Sequence, residues 1–297
     1  MPEIEPLRAA VFGGSFDPVH EGHLEVARRA QSAFNLERVL FIPAAQPPHK
    51  LNRQLAEPHL RLAATLIATA LEPSWEVLAL ELGRDGPSYT YDTLLEIPDV
   101  LRYRLVPKKD GGIAKRKRDL ELFLIIGSDN LPGLPSWRNA EDIVALAQPI
   151  VIWRGPSEGD PEGTTPETLL EALGGQLSDA AIERICRGFL ALEPYPMSST
   201  EIRGALARGE VPRGAVDDEV LEFLLEHGMY GWPAEAENPF VQVPEPTPYD
   251  EHDIDDEEDD GFVDFEEEEG EGDQGPGDEG VAGTRATGGD ALGEEVG

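Results

Sequence analysis

Cysteine is all but missing from this chain. Cys186 is the only one among 297 residues, which excludes an intrachain disulfide and any disulfide-built scaffold. Long apolar runs are missing too, and no stretch approaches the length that spans a bilayer. The first residues, MPEIEPLRAA, lack the basic-then-apolar shape of a secretory leader. These absences predict a cytoplasmic protein with no membrane partner. Basic residues are scarce in one region above all. Of the 24 Lys and Arg, only Arg285 lies in 235–297, whereas 24 of the 59 Asp and Glu do. That segment therefore carries −23 of the net charge of −35. Runs such as DIDDEEDD and FEEEEGEGD, with few apolar residues, cannot bury enough surface to offset chain entropy. We expect one well-buried domain over 1–234 and a disordered acidic tail over 235–297. Acidity this strong argues against general nucleic-acid binding.

Against these absences stands one dense cluster, Gly13-Gly14-Ser15-Phe16-Asp17-Pro18-Val19-His20-Glu21-Gly22-His23. Leu7 to Phe12 reads as a short buried strand closed by the glycine pair. Leu24, Ala27, Ala30 and Phe34 recur at helical spacing after it. The cluster is therefore a strand, a glycine-rich turn and a helix N-terminus. Gly13 and Gly14 let the backbone approach a bulky ligand, and the positive end of the helix favours an anion. His20 and His23, three apart, can share one face of the opening turn. Without that context, such a pair would read as a surface or capping feature. With it, the cluster points to phosphoryl groups.

Strand-like and helix-like segments alternate along the rest. Strands are expected at 38–43, within 75–82, and at 120–126, 149–153 and 189–192. Helices are expected near 57–70, 90–103, 139–147, 167–173, 178–187, 199–208 and 217–227. This alternation predicts an α/β fold, a Rossmann-like doubly wound parallel sheet with helices on both faces. Ligands of such sheets bind beyond the strands' carboxyl ends, where strand order reverses.

The Gly13–His23 cluster resembles the signature G-x-[ST]-F-D-x-x-H-x-G-H of the nucleotidyltransferase superfamily. Four later segments are similar to those of one branch, the nicotinate-nucleotide (nicotinic acid mononucleotide) adenylyltransferases. They are Pro43 to Lys50 (PAAQPPHK), Ser88 to Leu94 (SYTYDTL), Leu124 to Asn130 with Trp137, and Met197 to Arg203 (MSSTEIR). The resemblance covers about 7–230. It implies transfer of the adenylyl group of ATP to nicotinate mononucleotide, giving nicotinate adenine dinucleotide and pyrophosphate. Magnesium would arrive bridging the ATP phosphates and need little protein ligation. The implied ATP-binding set is Gly13, Gly14, Ser15, Phe16, His20, His23, Lys50, Gly127, Asp129, Ser199, Thr200 and Arg203. Of these, Ser15, His20, His23 and Arg203 would serve catalysis, with His23 on the reacting phosphate. Thr90 and Trp137 would hold the nicotinate nucleotide, the tryptophan by stacking on the pyridine ring. The bland readings are also on view: Thr90 as a helix cap, Trp137 as core, Ser198 or Ser199 as a cap.

Two features depart from the branch. The acidic tail has no counterpart, and Pro107 to Arg118 (PKKDGGIAKRKR) enlarges a connection and makes it basic. That stretch is either a solvated loop or a patch that holds the tail, or RNA, by charge. The rival functions are a sister enzyme for nicotinamide mononucleotide, pantetheine phosphate or a CTP-dependent acceptor, and a catalytically silent nucleotide-binding adaptor working through its tail.

Overall fold

A computed structural model describes residues 5–45, 54–84, 86–101, 103–107, 112–155, 164–236 and 238–240. Lys50 and the tail from 241 onward lie outside them.

Six strands form one parallel sheet: β1 (Leu7–Gly14), β2 (Arg38–Pro43), β3 (Trp75–Val77), β6 (Leu120–Gly127), β7 (Ala147–Trp153) and β8 (Phe189–Ala191). Their order is β3-β2-β1-β6-β7-β8. The chain works outward from β1 to β3, then returns beside β1 as β6 and works outward the other way. Strand order thus reverses between β1 and β6, which pair from Leu7↔Leu120 to Val11↔Leu124. The doubly wound expectation holds.

Period-two alternation makes both sheet faces apolar. Ala10 and Phe12 of β1, Val39 and Phe41 of β2, and Phe123 and Ile125 of β6 join one core. Their neighbours Ala9, Val11, Leu40, Ile42, Leu122 and Leu124 join the other. The first face is covered by α1 (Glu21–Ala33), α2 (Pro58–Thr69), α7 (Ser199–Ala207) and α8 (Asp218–Glu226). The second is covered by α3 (Thr90–Leu101), α4 (Ala140–Leu146), α5 (Pro166–Leu173) and α6 (Asp179–Cys186). Phe240, beyond the expected boundary at 234, packs on the first face with the Arg213 guanidinium 5.3 Å from its ring centre.

The strand expected within 75–82 is Trp75–Val77, after which the chain turns so that Glu81 is buried. Two expectations need correction. The helix from Thr90 ends at Leu101, because Tyr103 already begins a strand. The basic stretch 107–118 is not simply a loop. Tyr103–Pro107 (β4) and Ile113–Lys117 (β5) pair antiparallel, from Tyr103↔Lys117 to Pro107↔Ile113. Arg118 is occupied by the body of the domain: its two terminal nitrogens meet Glu37 at 2.7 and 2.9 Å, and it donates to the Glu5 and Pro6 carbonyls.

Candidate active site

The turn after β1 is built from the inside. Phe16 takes a left-handed φ of 43° although it carries a large side chain, a conformation that only its surroundings can hold. Its ring is buried against Phe12, Phe41 and His23. Behind the turn, Ala44 N–H donates to the Gly14 carbonyl at 2.8 Å, and Ser199 Oγ donates to the Pro18 carbonyl at 3.1 Å.

His20 and His23 then open α1, and they do cap it. His20 is the N-cap, with Nδ1 accepting from Gly22 N–H at 3.1 Å. His23 Nδ1 accepts from His20 N–H at 3.2 Å, closing a reciprocal box. Capping and function are not alternatives here. Because each Nδ1 is an acceptor, each neutral ring carries its proton on Nε2 and offers an N–H donor there. The ring centres are 3.9 Å apart. Burial, helped by the Arg154 charge, lowers the pKa of His20 from 6.5 to about 4, so it is neutral at physiological pH. The glycine between them is obligatory: a Cβ on Gly22 would lie 2.9 Å from both His20 Cε1 and Tyr195 Cβ. Tyr195 stacks on the His20 ring with centres 6.2 Å apart.

Two cavities draw on this segment, one on the turn after β1 and one on the flank of α1. The first, about 340 Å³, is lined by Gly13, Gly14, Ser15, Ser88, Thr90 and Trp137, among others. The second, about 730 Å³, is lined by Gly22, Glu25, Arg29, Trp153, Arg154 and Tyr195, among others. Trp137 reconciles its two readings, since it packs partly buried against the second-face core while walling the first cavity. Thr90 begins α3 rather than capping it; Thr93 N–H bonds to the Tyr89 carbonyl, so Tyr89 holds the capping position. Asp92 fixes this turn to the far wall through Arg138, 2.9 Å away, whose guanidinium also lies over Tyr89.

Gly127 closes β6 at the switch point, and the Asp129 carboxylate folds back over it: a Cβ there would fall 2.1 Å from Oδ1. Ser198, not Ser199, caps α7, in a box with Glu201. Arg203 donates to the Asp17 carbonyl at 2.6 Å and to Thr200 Oγ1 at 3.0 Å, so part of its fork holds the turn. Gly13, Gly14, Ser15, Thr90 and Trp137 thus meet at one cavity. Phe16, His20 and His23 pack on one another outside that lining, and Ser199 and Arg203 brace the turn from α7. Among the described residues, no group of three His, Cys, Asp or Glu is arranged to hold a metal.

Sequence reasoning missed Arg154, Tyr195 and Glu81. Arg154 follows β7 directly, a strand-end position that could have been picked out. Glu81, buried in the first cavity's wall, accepts from Thr93 Oγ1 at 2.7 Å, and burial raises its pKa. Tyr195 left no signal in the sequence.

A doubly wound α/β protein with a histidine-headed anion turn at the switch point is, by class, a nucleotide-binding protein. A family model described as cytidylyltransferase-like matches residues 11–205. A protein of Roseiflexus sp. named "Probable nicotinate-nucleotide adenylyltransferase" is 33% identical over 74% of this chain and 96% of its own length. One of Thermus thermophilus with the same name is 35% identical over 75% of this chain and all of its own. Among solved structures, a Plasmodium falciparum nicotinic acid mononucleotide adenylyltransferase complexed with NaAD shares the fold, with a TM-score of 0.54 at 16% identity over 77% of this chain and 99% of its own. The chain belongs to the cytidylyltransferase-like family, in its nicotinate-nucleotide adenylyltransferase branch.

Proposed function

We propose that the chain joins ATP and nicotinate mononucleotide into nicotinate adenine dinucleotide, releasing pyrophosphate. The observation that carries this is a pair of cavities, one lined by the Gly13–Ser15 turn and the other by Gly22 of α1, with two histidines, one on either side of Gly22, whose Nδ1 atoms accept backbone N–H bonds. A nucleotide in each cavity would bring the two phosphates together at the head of α1. The first, with its aromatic wall and the N-terminus of α3, suits a pyridine bearing a carboxylate. The second, larger cavity suits the adenosine of ATP.

An oxygen of the acceptor phosphate attacks the α-phosphorus. The new P–O bond forms as the bond to the β-phosphate oxygen breaks, and pyrophosphate leaves. The acceptor is already ionised, so neither a base nor a covalent intermediate is needed. The protein's task is to hold two anions in line and stabilise the charge that builds on them. Backbone N–H groups at Ser15 and Phe16 and the Nε2–H of His23 serve the reacting phosphate. His20, Lys50 and Arg203 serve the triphosphate. Magnesium accompanying ATP would supply charge neutralisation on the triphosphate, with His20, Lys50 and Arg203 as the protein groups around it and little protein ligation needed. The reaction takes place in the cytoplasm, and the acidic tail, beginning beyond Phe240 rather than at 235, is outside the catalytic domain.

The test is pyrophosphate release from ATP with nicotinate or nicotinamide mononucleotide as acceptor. Rapid release with the acid and slow release with the amide is expected. Equal rates would overturn the substrate assignment, and no release with either would overturn the reaction.

A further inference from the structure

Arg61, the fourth residue of α2, is fully buried and, among the described residues, the largest side chain in that condition. A guanidinium withdrawn from water needs its donors met. Here they go to backbone carbonyls of three segments. Nη1 donates to Ser15 O at 2.5 Å, Nε to Ala56 O at 2.9 Å and Nη2 to Ala45 O at 3.3 Å. The counter-charge is Asp17, itself buried, whose Oδ1 accepts from Ala56 N–H at 3.1 Å. The Tyr230 hydroxyl lies close by, its phenol held protonated by burial and by the Asp17 charge.

These contacts complete a pattern. The carbonyls of Gly14, Ser15, Asp17 and Pro18 are each held by a donor from elsewhere in the fold: Ala44 N–H after β2, Arg61 of α2, and Arg203 and Ser199 Oγ of α7. In a trans peptide, C=O and N–H point in opposite directions. Gripping Ser15 O from within therefore turns the N–H of the same peptide unit, that of Phe16, the other way. The charge on the grip also polarises that unit, which makes its N–H a better donor to an anion.

We propose that Arg61 is a positioning residue for the adenylyl transfer: it aims and polarises the Phe16 N–H toward the reacting phosphate. The idea rests on the turn being the phosphate site of the proposed reaction, and it is independent of which acceptor is used. An N–H aimed at charge that develops in the transition state contributes to kcat more than to ground-state binding.

The test uses the full chain as wild type, Arg61→Lys and Arg61→Gln, each first shown by thermal melting to be folded. Lysine keeps the charge but loses the fork, and glutamine keeps donors but loses the charge. Two quantities are read: kcat and KM for ATP, and the shift of the ¹⁵N-labelled Phe16 amide on adding inorganic pyrophosphate. In the wild type the amide proton should move downfield on adding pyrophosphate. In both variants that shift should shrink, and kcat should fall about 10- to 100-fold with the KM for ATP little changed. A folded variant with wild-type kcat and an undiminished shift overturns the proposal, as does a raised KM with unchanged kcat. A Phe16 amide that ignores pyrophosphate in the wild type overturns it as well, and that reading holds even if neither variant folds. If no dinucleotide forms in any protein yet the amide shift appears and depends on Arg61, the catalytic reading fails while the positioning role survives.

Discussion

The two cavities beside α1 are built by different means. The first is walled by residues from short, recognisable strings: the glycine turn, the Ser88–Thr90 turn and Trp137. The second is twice as large and is walled by a helix flank, the end of β7 and the segment after β8, with Glu25, Arg29, Arg154 and Glu193 among its residues. The first wall comes largely from motif turns; the second sets Glu25, Arg29, Arg154 and Glu193 into a lining that also includes Val26, Trp153, Leu192 and Pro194. A pocket that must position a small ring depends on close backbone approach and leaves a motif. A pocket that must accept a larger, polar group can be lined by whatever side chains the strand ends carry.

That contrast can be broken in several ways. His23→Ala should remove about 10²- to 10³-fold in kcat while leaving ATP binding nearly intact, because its Nε2–H acts on developing charge. Unchanged turnover would remove the histidine pair from its central role. Gly22→Ala should follow closely, since a methyl 2.9 Å from the His20 ring must displace it. Kinetics together with thermal melting would show a loss of about tenfold or more in kcat and about 1–3 kcal/mol of stability.

Trp137→Ala and Arg154→Met form a matched pair. The first should raise the KM for the pyridine nucleotide by about tenfold and spare ATP, because base–aromatic stacking contributes about 1–3 kcal/mol. The second should do the reverse. If both raise the same KM, the cavities are not separate subsites.

Arg154 also sharpens the electrostatics. A histidine NMR titration should place His20 near pH 4 in the wild type and part-way back toward 6.5 in Arg154→Met, since burial, the larger cause, remains. Between about 4 and 6.5 the unfolded chain binds the extra proton and the folded one does not. His20 therefore stabilises the fold fully above about 6.5 and loses that contribution as pH falls to about 4, about 3 kcal/mol in all. Smallest of all, Ser198→Ala should cost about 1 kcal/mol by removing the cap of α7, measured by denaturant unfolding.

Most of the sheet was legible because both faces of every central strand are buried, which produces runs such as Leu120–Gly127 that nothing else imitates. The hairpin of β4 and β5 was missed because its lysines and arginines masked a pairing that Asp110-Gly111-Gly112, a turn string between two strand-length runs, could have signalled. Five residues of the first cavity, Gly13, Gly14, Ser15, Thr90 and Trp137, stand in strings that the sequence already marks. Glu81 and Tyr195 were not legible in this way, since a buried glutamate is defined by the Thr93 that meets it and a stacked tyrosine by the His20 beneath it. Arg61 shows the same limit: no spacing announces that a helix arginine will grip a turn 46 residues earlier.

The reciprocal box of His20 and His23 carries a consequence for anyone who would evolve or redesign this chain. Serine or aspartate caps a helix better than histidine at position 20, and glutamate or glutamine closes the box better at position 23, so a screen for heat resistance alone would drift away from both imidazoles. A screen for turnover would restore them. The protein cannot be improved at this point along both axes at once, and a hardened variant that has lost these rings would still look like a well-made member of its family.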